Sequence, residues 1–215
     1  MKTQMKFQKY MCLVMLIMGA LTLLYAFFYL SGGMSALGQA KDKAPLDSGE
    51  SWVALFPAAE GKYNYKLFES IQPFNDLLMY CGIAMILTAV LLYITACNSR
   101  RNYYITNYVA TGVCAGGNIV LSLVLMVMNG SWRSKFTKVD FTAWKEQVAF
   151  QKTQGIELEY SESTLWFDLG FVIYTLMIVA SVLLILNLVW KILLMKGEKE
   201  LLNGKTAVEA EGGAV

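Results

Sequence analysis

Four long stretches of the chain carry no charged side chain: Tyr10 to Ala40, Leu77 to Ser99, Asn102 to Trp132 and Leu169 to Trp190. A helix needs about 20 predominantly apolar residues to cross a bilayer, and each stretch is longer than that. The pattern predicts an all-α integral membrane protein, a bundle of four transmembrane helices over residues 10–30, 77–97, 103–128 and 169–190. Lys2, Lys6 and Lys9 ahead of the first stretch give it the look of a signal peptide, but its apolar core exceeds the usual length of about 7–15 residues, so it is read as a span.

Between the spans the pattern changes. Residues 1–9 and 191–215 are polar tails, the second expected to be mobile, and residues 98–102 form a link short enough to make its two helices antiparallel neighbours. The segments 31–76 and 129–168 are long for connections. Tyr63-Asn-Tyr-Lys-Leu67 and Ile156-Glu-Leu-Glu-Tyr160 alternate apolar with polar as half-buried strands do. In Asp140–Lys152, Phe141, Trp144 and Val148 recur at helical spacing. The two segments are therefore expected to fold together outside the membrane as a small mixed α/β cap. Trp52, Phe56, Tyr63, Tyr65, Phe141, Trp144 and Tyr160 are its candidate interaction residues, since isolated loops should not leave that much apolar surface in water. Pro73 is expected just before the second helix, with Asn75 or Asp76 capping its first turn, and Asn129-Gly130 reads as the end of the third.

The third span holds the densest run of small residues. Gly112 and Gly116 form one small-xxx-small pair, Thr111 and Ala115 another beside it, and Gly117, Asn118 and Ser122 extend the weakly polar surface. Helices in lipid associate largely through close packing at small residues. Thr111, Gly112, Ala115, Gly116, Gly117, Asn118 and Ser122 are accordingly expected to form a helix-packing or partner-binding face, with Asn118 hydrogen-bonded to another helix. On this reading Gly116 should tolerate leucine less well than Gly82 in the second span.

Composition changes the picture mainly by exclusion. The chain is 56% hydrophobic and contains no histidine, which removes histidine-ligated haem and zinc, histidine-dependent nucleophiles and histidine proton relays. Cys12, Cys81, Cys97 and Cys114 all fall within or at the ends of spans, so the loops can hold no disulfide. A net charge of +2 argues against a nucleic-acid partner. Glu157, Glu159 and Glu162 are the only close carboxylates in the long loops and read as a solvated face. No catalytic residue, metal or cofactor is expected. The four-span layout is similar to that of claudin-like and tetraspanin-like proteins, but Trp52 has neither the Gly-Leu-Trp nor the paired cysteines of the first, and the chain has no Cys-Cys-Gly of the second. The resemblance is one of layout. What remains is a non-catalytic membrane subunit or scaffold binding lipid and other membrane proteins, or itself; the alternative is a small pore or transporter component with a path beside the third helix.

Orientation follows from charge density. Half of the 18 basic residues (Lys2, Lys6, Lys9, Arg100, Arg101, Lys191, Lys196, Lys199 and Lys205) crowd the tails and the short link, while the rest are spread through the two long loops. Basic residues close to span ends favour the cytoplasmic side. Both termini are expected there, in a plasma or inner membrane. A cysteine introduced at Ser48 should therefore react with an impermeant maleimide in intact cells, and one at Ser99 only after the cells are opened; the reverse pattern means the opposite orientation.

Overall fold

A computed structural model describes residues 2–33, 65–95, 101–139, 141, 145, 149, 152–153 and 161–212. Four helices account for nearly all of them: α1 (Lys2–Phe28), which runs into a π-helical turn at Tyr29–Gly33, α2 (Tyr65–Thr95), α3 (Arg101–Phe136) and α4 (Leu165–Gly212). All four are long and apolar enough to cross a membrane, over Lys6–Ser31, Leu67–Thr95, Asn107–Phe136 and Leu165–Gly197.

Cross-helix contacts fix the arrangement. Gln8 Nε2 donates to the Leu92 carbonyl near the termini and Asn75 Nδ2 donates to the Ala26 carbonyl at the other end, so α1 and α2 are antiparallel. Thr95 meets Asn107 while Phe74 meets Trp132, Tyr108 meets Met195 while Asn129 meets Phe167, and Gln4 meets Asn187 while Tyr25 meets Trp166. Each neighbouring pair is therefore antiparallel, and the helices close a ring in the order α1, α2, α3, α4, tightest between α1 and α2 and between α3 and α4. Both ends of the chain lie at one end of the bundle, here called the termini end, and the two long connections leave from the other, the loop end.

The outer surface is Leu, Val and Ile, with Val113 72% and Val127 78% exposed, whereas the interior takes in Gln, Asn, Thr and Ser alongside its apolar residues. That is the distribution expected where hydrocarbon surrounds the molecule, since a polar side chain finds its partners only inside. At the loop end an aromatic layer fills the core. Tyr25 stacks on Tyr29 with ring centroids 5.3 Å apart, Tyr29 meets Phe167 edge-on at 5.7 Å, and Phe167 packs on Phe136 at 5.3 Å. Such pairs contribute about 0.5–1.5 kcal/mol each beyond their burial.

The mixed α/β cap is not supported. Among the described residues there is no strand, and Tyr65–Leu67, expected to be extended, form the first turn of α2. The alternation there covers only five residues, and a longer helical stripe overrides it: Leu67, Ile71, Asn75 and Leu78 are all buried on one face of α2. Pro73 consequently sits inside the helix, exposed, withholding an N–H from the exposed Glu69, and Asn75 and Asp76 lie within α2 instead of capping it. Asn129-Gly130 does not end α3 either. The buried stripe Leu125, Asn129, Trp132, Phe136 continues through it, and Asn129 Nδ2 is held by the Phe167 carbonyl at 2.7 Å.

Beyond α3 the expected helix at 140–152 is visible in part: Lys145 N donates to the Phe141 carbonyl, Lys145, Ala149, Lys152 and Thr153 are helical, and Lys145 pairs with Glu162 at 2.9 Å. The strand expected at Ile156–Tyr160 lies outside the described residues. The supposedly mobile tail is helical as far as Gly212, in a sequence rich in the helix formers Glu, Lys and Leu.

Gly19 of α1 and Gly82 of α2 mark a close approach of two helix backbones. A Cβ on Gly19 would lie 2.9 Å from the Gly82 carbonyl oxygen and 2.7 Å from Ile86, and one on Gly82 would lie 2.9 Å from Leu23 and 3.1 Å from the Gly19 oxygen. Against Gly116, by contrast, a Cβ would meet nothing within 4 Å. For the bundle itself the geometry favours the opposite ranking, leaving assembly with a partner aside: Gly82→Leu should cost about 1–3 kcal/mol and lower the melting temperature in detergent, while Gly116→Leu should leave it close to wild type.

Candidate functional site

The small-residue surface of α3 divides into two faces. Thr111, Ala115, Asn118 and Ser122 recur at intervals of four, three and four and are all buried in the bundle, at 1% exposure or less. Gly112, Gly116 and Gly117 are rotated by about 100° per residue from these positions. Gly112 and Gly117 are exposed and Gly116 half-buried, and a Cβ added at any of them would come within 4 Å of no other element among the described residues. The glycines therefore do not pack this bundle. Among the described residues the hydrogen bond of Asn118 runs within α3, its Nδ2 lying 3.6 Å from Cys114 Sγ one turn back.

The inward stripe extends beyond the small residues. Asn107 and Asn129 lie on the same face and are equally buried, so polar side chains follow α3 from one end of the bundle interior to the other. Thr95 Oγ1 lies 2.6 Å from its own Leu91 carbonyl and 2.9 Å from Asn107 Oδ1, so its single proton is shared between the two acceptors. Asn107 Nδ2, Ser122 Oγ and Asn129 Oδ1 find no hydrogen-bond partner among the described residues.

A second polar group joins three helices at the termini end. Gln4 Nε2 donates to Asn187 Oδ1 at 3.2 Å and to Gln8 Oε1 at 3.3 Å; Gln8 Nε2 donates to the Leu92 carbonyl at 3.1 Å; Lys191 Nζ donates to Gln8 Oε1 at 3.4 Å. Lys191 is only 8% exposed, and Gln4 and Gln8 are buried more deeply still. A bond to a charged donor is stronger than one between neutral groups, so Gln8 ties the buried cation of α4 to the backbone of α2.

Sequence reading passed over these residues because the first span was taken to start at Tyr10 and the last to end at Trp190. The usable signal was periodicity: Gln4, Gln8, Cys12 and Met15 continue a single buried stripe of α1, and Lys191 lies four residues beyond the buried Asn187.

Of the loop aromatics, Phe141 is buried against Phe136 with ring centroids 5.5 Å apart, and Tyr65 opens α2. Trp52, Phe56, Tyr63, Trp144 and Tyr160 lie outside the described residues. Arg133 pairs with Asp168 in the first turn of α4 at 3.2 Å, where the carboxylate also meets the positive end of the helix dipole. Both partners are about half exposed, which makes this a weak link.

Gln8 occupies the centre of the termini-end group, whereas Gln4 is at its edge. Gln8→Ala withdraws an acceptor from Lys191 and a donor from the Leu92 carbonyl, and burying groups without their partners costs about 1–3 kcal/mol. Its melting temperature should fall further than that of Gln4→Ala, as read by thermal unfolding in detergent; equal losses would mean that side-chain packing and not hydrogen bonding is responsible.

No known protein family matches this chain, and neither a curated protein nor a solved structure does.

Proposed function

We propose that this protein is a non-catalytic membrane subunit that binds a transmembrane helix of another membrane protein on the outer face of α3. The observation that carries this reading is the open surface at Gly112, Gly116 and Gly117. Each glycine in a helix interior costs up to about 1 kcal/mol relative to alanine, and among the described residues no close approach to another helix offsets it. Val109, Val113 and Val120 flank the glycines and are 60–72% exposed. Valine is nearly fixed in one rotamer on a helix, so a partner helix would dock on this ridge and groove with little loss of side-chain entropy. The loop residues Trp52, Phe56, Tyr63, Trp144 and Tyr160 would add contacts outside the membrane.

The alternative reading, a pore or transporter component with its path beside α3, draws on the inward polar stripe from Asn107 to Asn129 and its unpaired atoms. At about 1.5 Å per residue that stripe covers roughly the thickness of a hydrocarbon core.

The double variant Gly112→Leu/Gly116→Leu separates the two. Under the subunit reading, wild type co-purifies from native membranes with a stoichiometric partner, and the variant loses that partner while keeping its own melting temperature. If the wild type instead recovers only second copies of itself, the partner is this same chain. Solute or ion flux through liposomes holding the pure wild type, reduced by Asn118→Leu, would overturn the subunit reading in favour of the path.

A further inference from the structure

Between α1 and α2, on the termini side of the Gly19–Gly82 contact, the helices leave a groove of about 250 Å³. Lys9, Leu13 and Leu16 form one wall and Ala89, Val90 and Tyr93 the other. Its shape has two causes. The backbones come close at the glycine pair, where neither position has room for a Cβ, and beyond it the small side chain of Ala89, buried at the base, leaves the groove deep.

We infer that this groove holds an acyl chain of an anionic phospholipid, with the headgroup phosphate at Lys9. Apart from the mouth and the buried Cys12 thiol the walls are hydrocarbon, and Leu13, Leu16 and Val90 turn outward, uncovered by the rest of the described chain. A helix is about 10–12 Å across with its side chains and cannot enter a space of this volume, whereas a single alkyl chain can. The volume also lies below the range of about 300–1,000 Å³ usual for pockets that enclose a whole drug-sized ligand. Only a segment of the lipid therefore sits in the groove, and the remainder stays in the bilayer.

The mouth selects the headgroup. Lys9 Nζ stands 5.7 Å from the centre of the Tyr93 ring, which holds the ammonium over the groove entrance. Lys6, exposed, lies one turn nearer the terminus on the same side of α1. Neither α1 nor the stretch of α2 from Met79 to Thr95 contains an acidic residue, so no carboxylate on the two groove helices neutralises this charge at the termini end. A basic mouth over an apolar slot between helices is complementary to a phosphate carried on a hydrocarbon chain. Inorganic phosphate would gain nothing from the walls. The groove is on α1 and α2, so this inference is independent of what binds α3.

The test uses the full-length protein in detergent, with bound lipid read by native mass spectrometry after addition of phosphatidylglycerol or phosphatidylcholine of identical acyl chains. One basic residue near a headgroup should give about a fivefold preference for the anionic lipid. Wild type should retain one phosphatidylglycerol with that preference. Lys9→Gln should abolish the preference, and Val90→Phe, which fills the groove from its exposed rim without touching the core, should reduce retention of both lipids. Thermal unfolding of both variants should match wild type, since neither residue is buried. Equal retention of the two lipids by wild type, a preference that survives Lys9→Gln, or full retention in Val90→Phe would overturn the inference. So would displacement of the lipid by millimolar inorganic phosphate, which would mark a site for the phosphate group alone.

Discussion

Helices surrounded by hydrocarbon gain nothing by hiding apolar surface from one another, so they must be held by backbones that come close and by polar groups that find partners. In this protein the first condition is met at Gly19 and Gly82, where two helices are near enough that neither position has room for a methyl group. The contact sets the spacing of α1 and α2 along their length. Below it, toward the loop end, Asn75 reaches the Ala26 carbonyl at 2.9 Å; above it the helices leave room for the groove headed by Lys9.

Polar groups meet the second condition through bonds between helices at the two ends of the bundle. At the loop end Asn75, Asn129 and Tyr25 each donate to a main-chain carbonyl of another helix, the last two to neighbouring carbonyls at the start of α4. Gly170 makes room for this, because a side chain there would run into the Tyr25 hydroxyl and the Asn129 amide. At the termini end Gln4, Gln8, Asn187 and Lys191 knit α1, α2 and α4 together, and Thr95 with Asn107 adds α3. A side chain bonded to a backbone carbonyl specifies the register of two helices, which apolar packing alone would leave free to slide. The middle of the bundle relies more on methionine and alanine, with Met15, Met85, Ala115 and Met177 almost fully buried. These flexible or small side chains fill the space without fixing it.

The outer face of α3 is the exception to this economy. Three glycines within six positions weaken the helix, and a Cβ at any of them would meet nothing among the described residues within 4 Å, whereas one at Gly19, Gly82 or Gly170 would run into a neighbouring helix. The subunit reading rests on that contrast. The inner face of the same helix, where polar side chains from Asn107 to Asn129 alternate with buried apolar ones and are incompletely paired, is where a transport reading would have to begin.

Charge-free stretches of sufficient length determined the number of spans, since the cost of placing charge in hydrocarbon is felt residue by residue and needs no knowledge of neighbours. The short link after Cys97 likewise determined that α2 and α3 run antiparallel. Local signals failed where a tertiary stripe opposed them. Pro73, Asn129-Gly130 and the alternation at Tyr63–Leu67 all argued for an end or a strand, yet Ile71, Trp132 and Leu67 are buried against other helices, and that burial continued the helix through each. Which glycines matter was also beyond the sequence. Gly112, Gly116 and Gly117 look denser than the isolated Gly19 and Gly82, but contact depends on the rotation of each helix about its axis. That rotation is chosen by the whole set of buried partners, Asn107, Thr111, Asn118, Ser122 and Asn129 among them, and it exists only once four helices have packed.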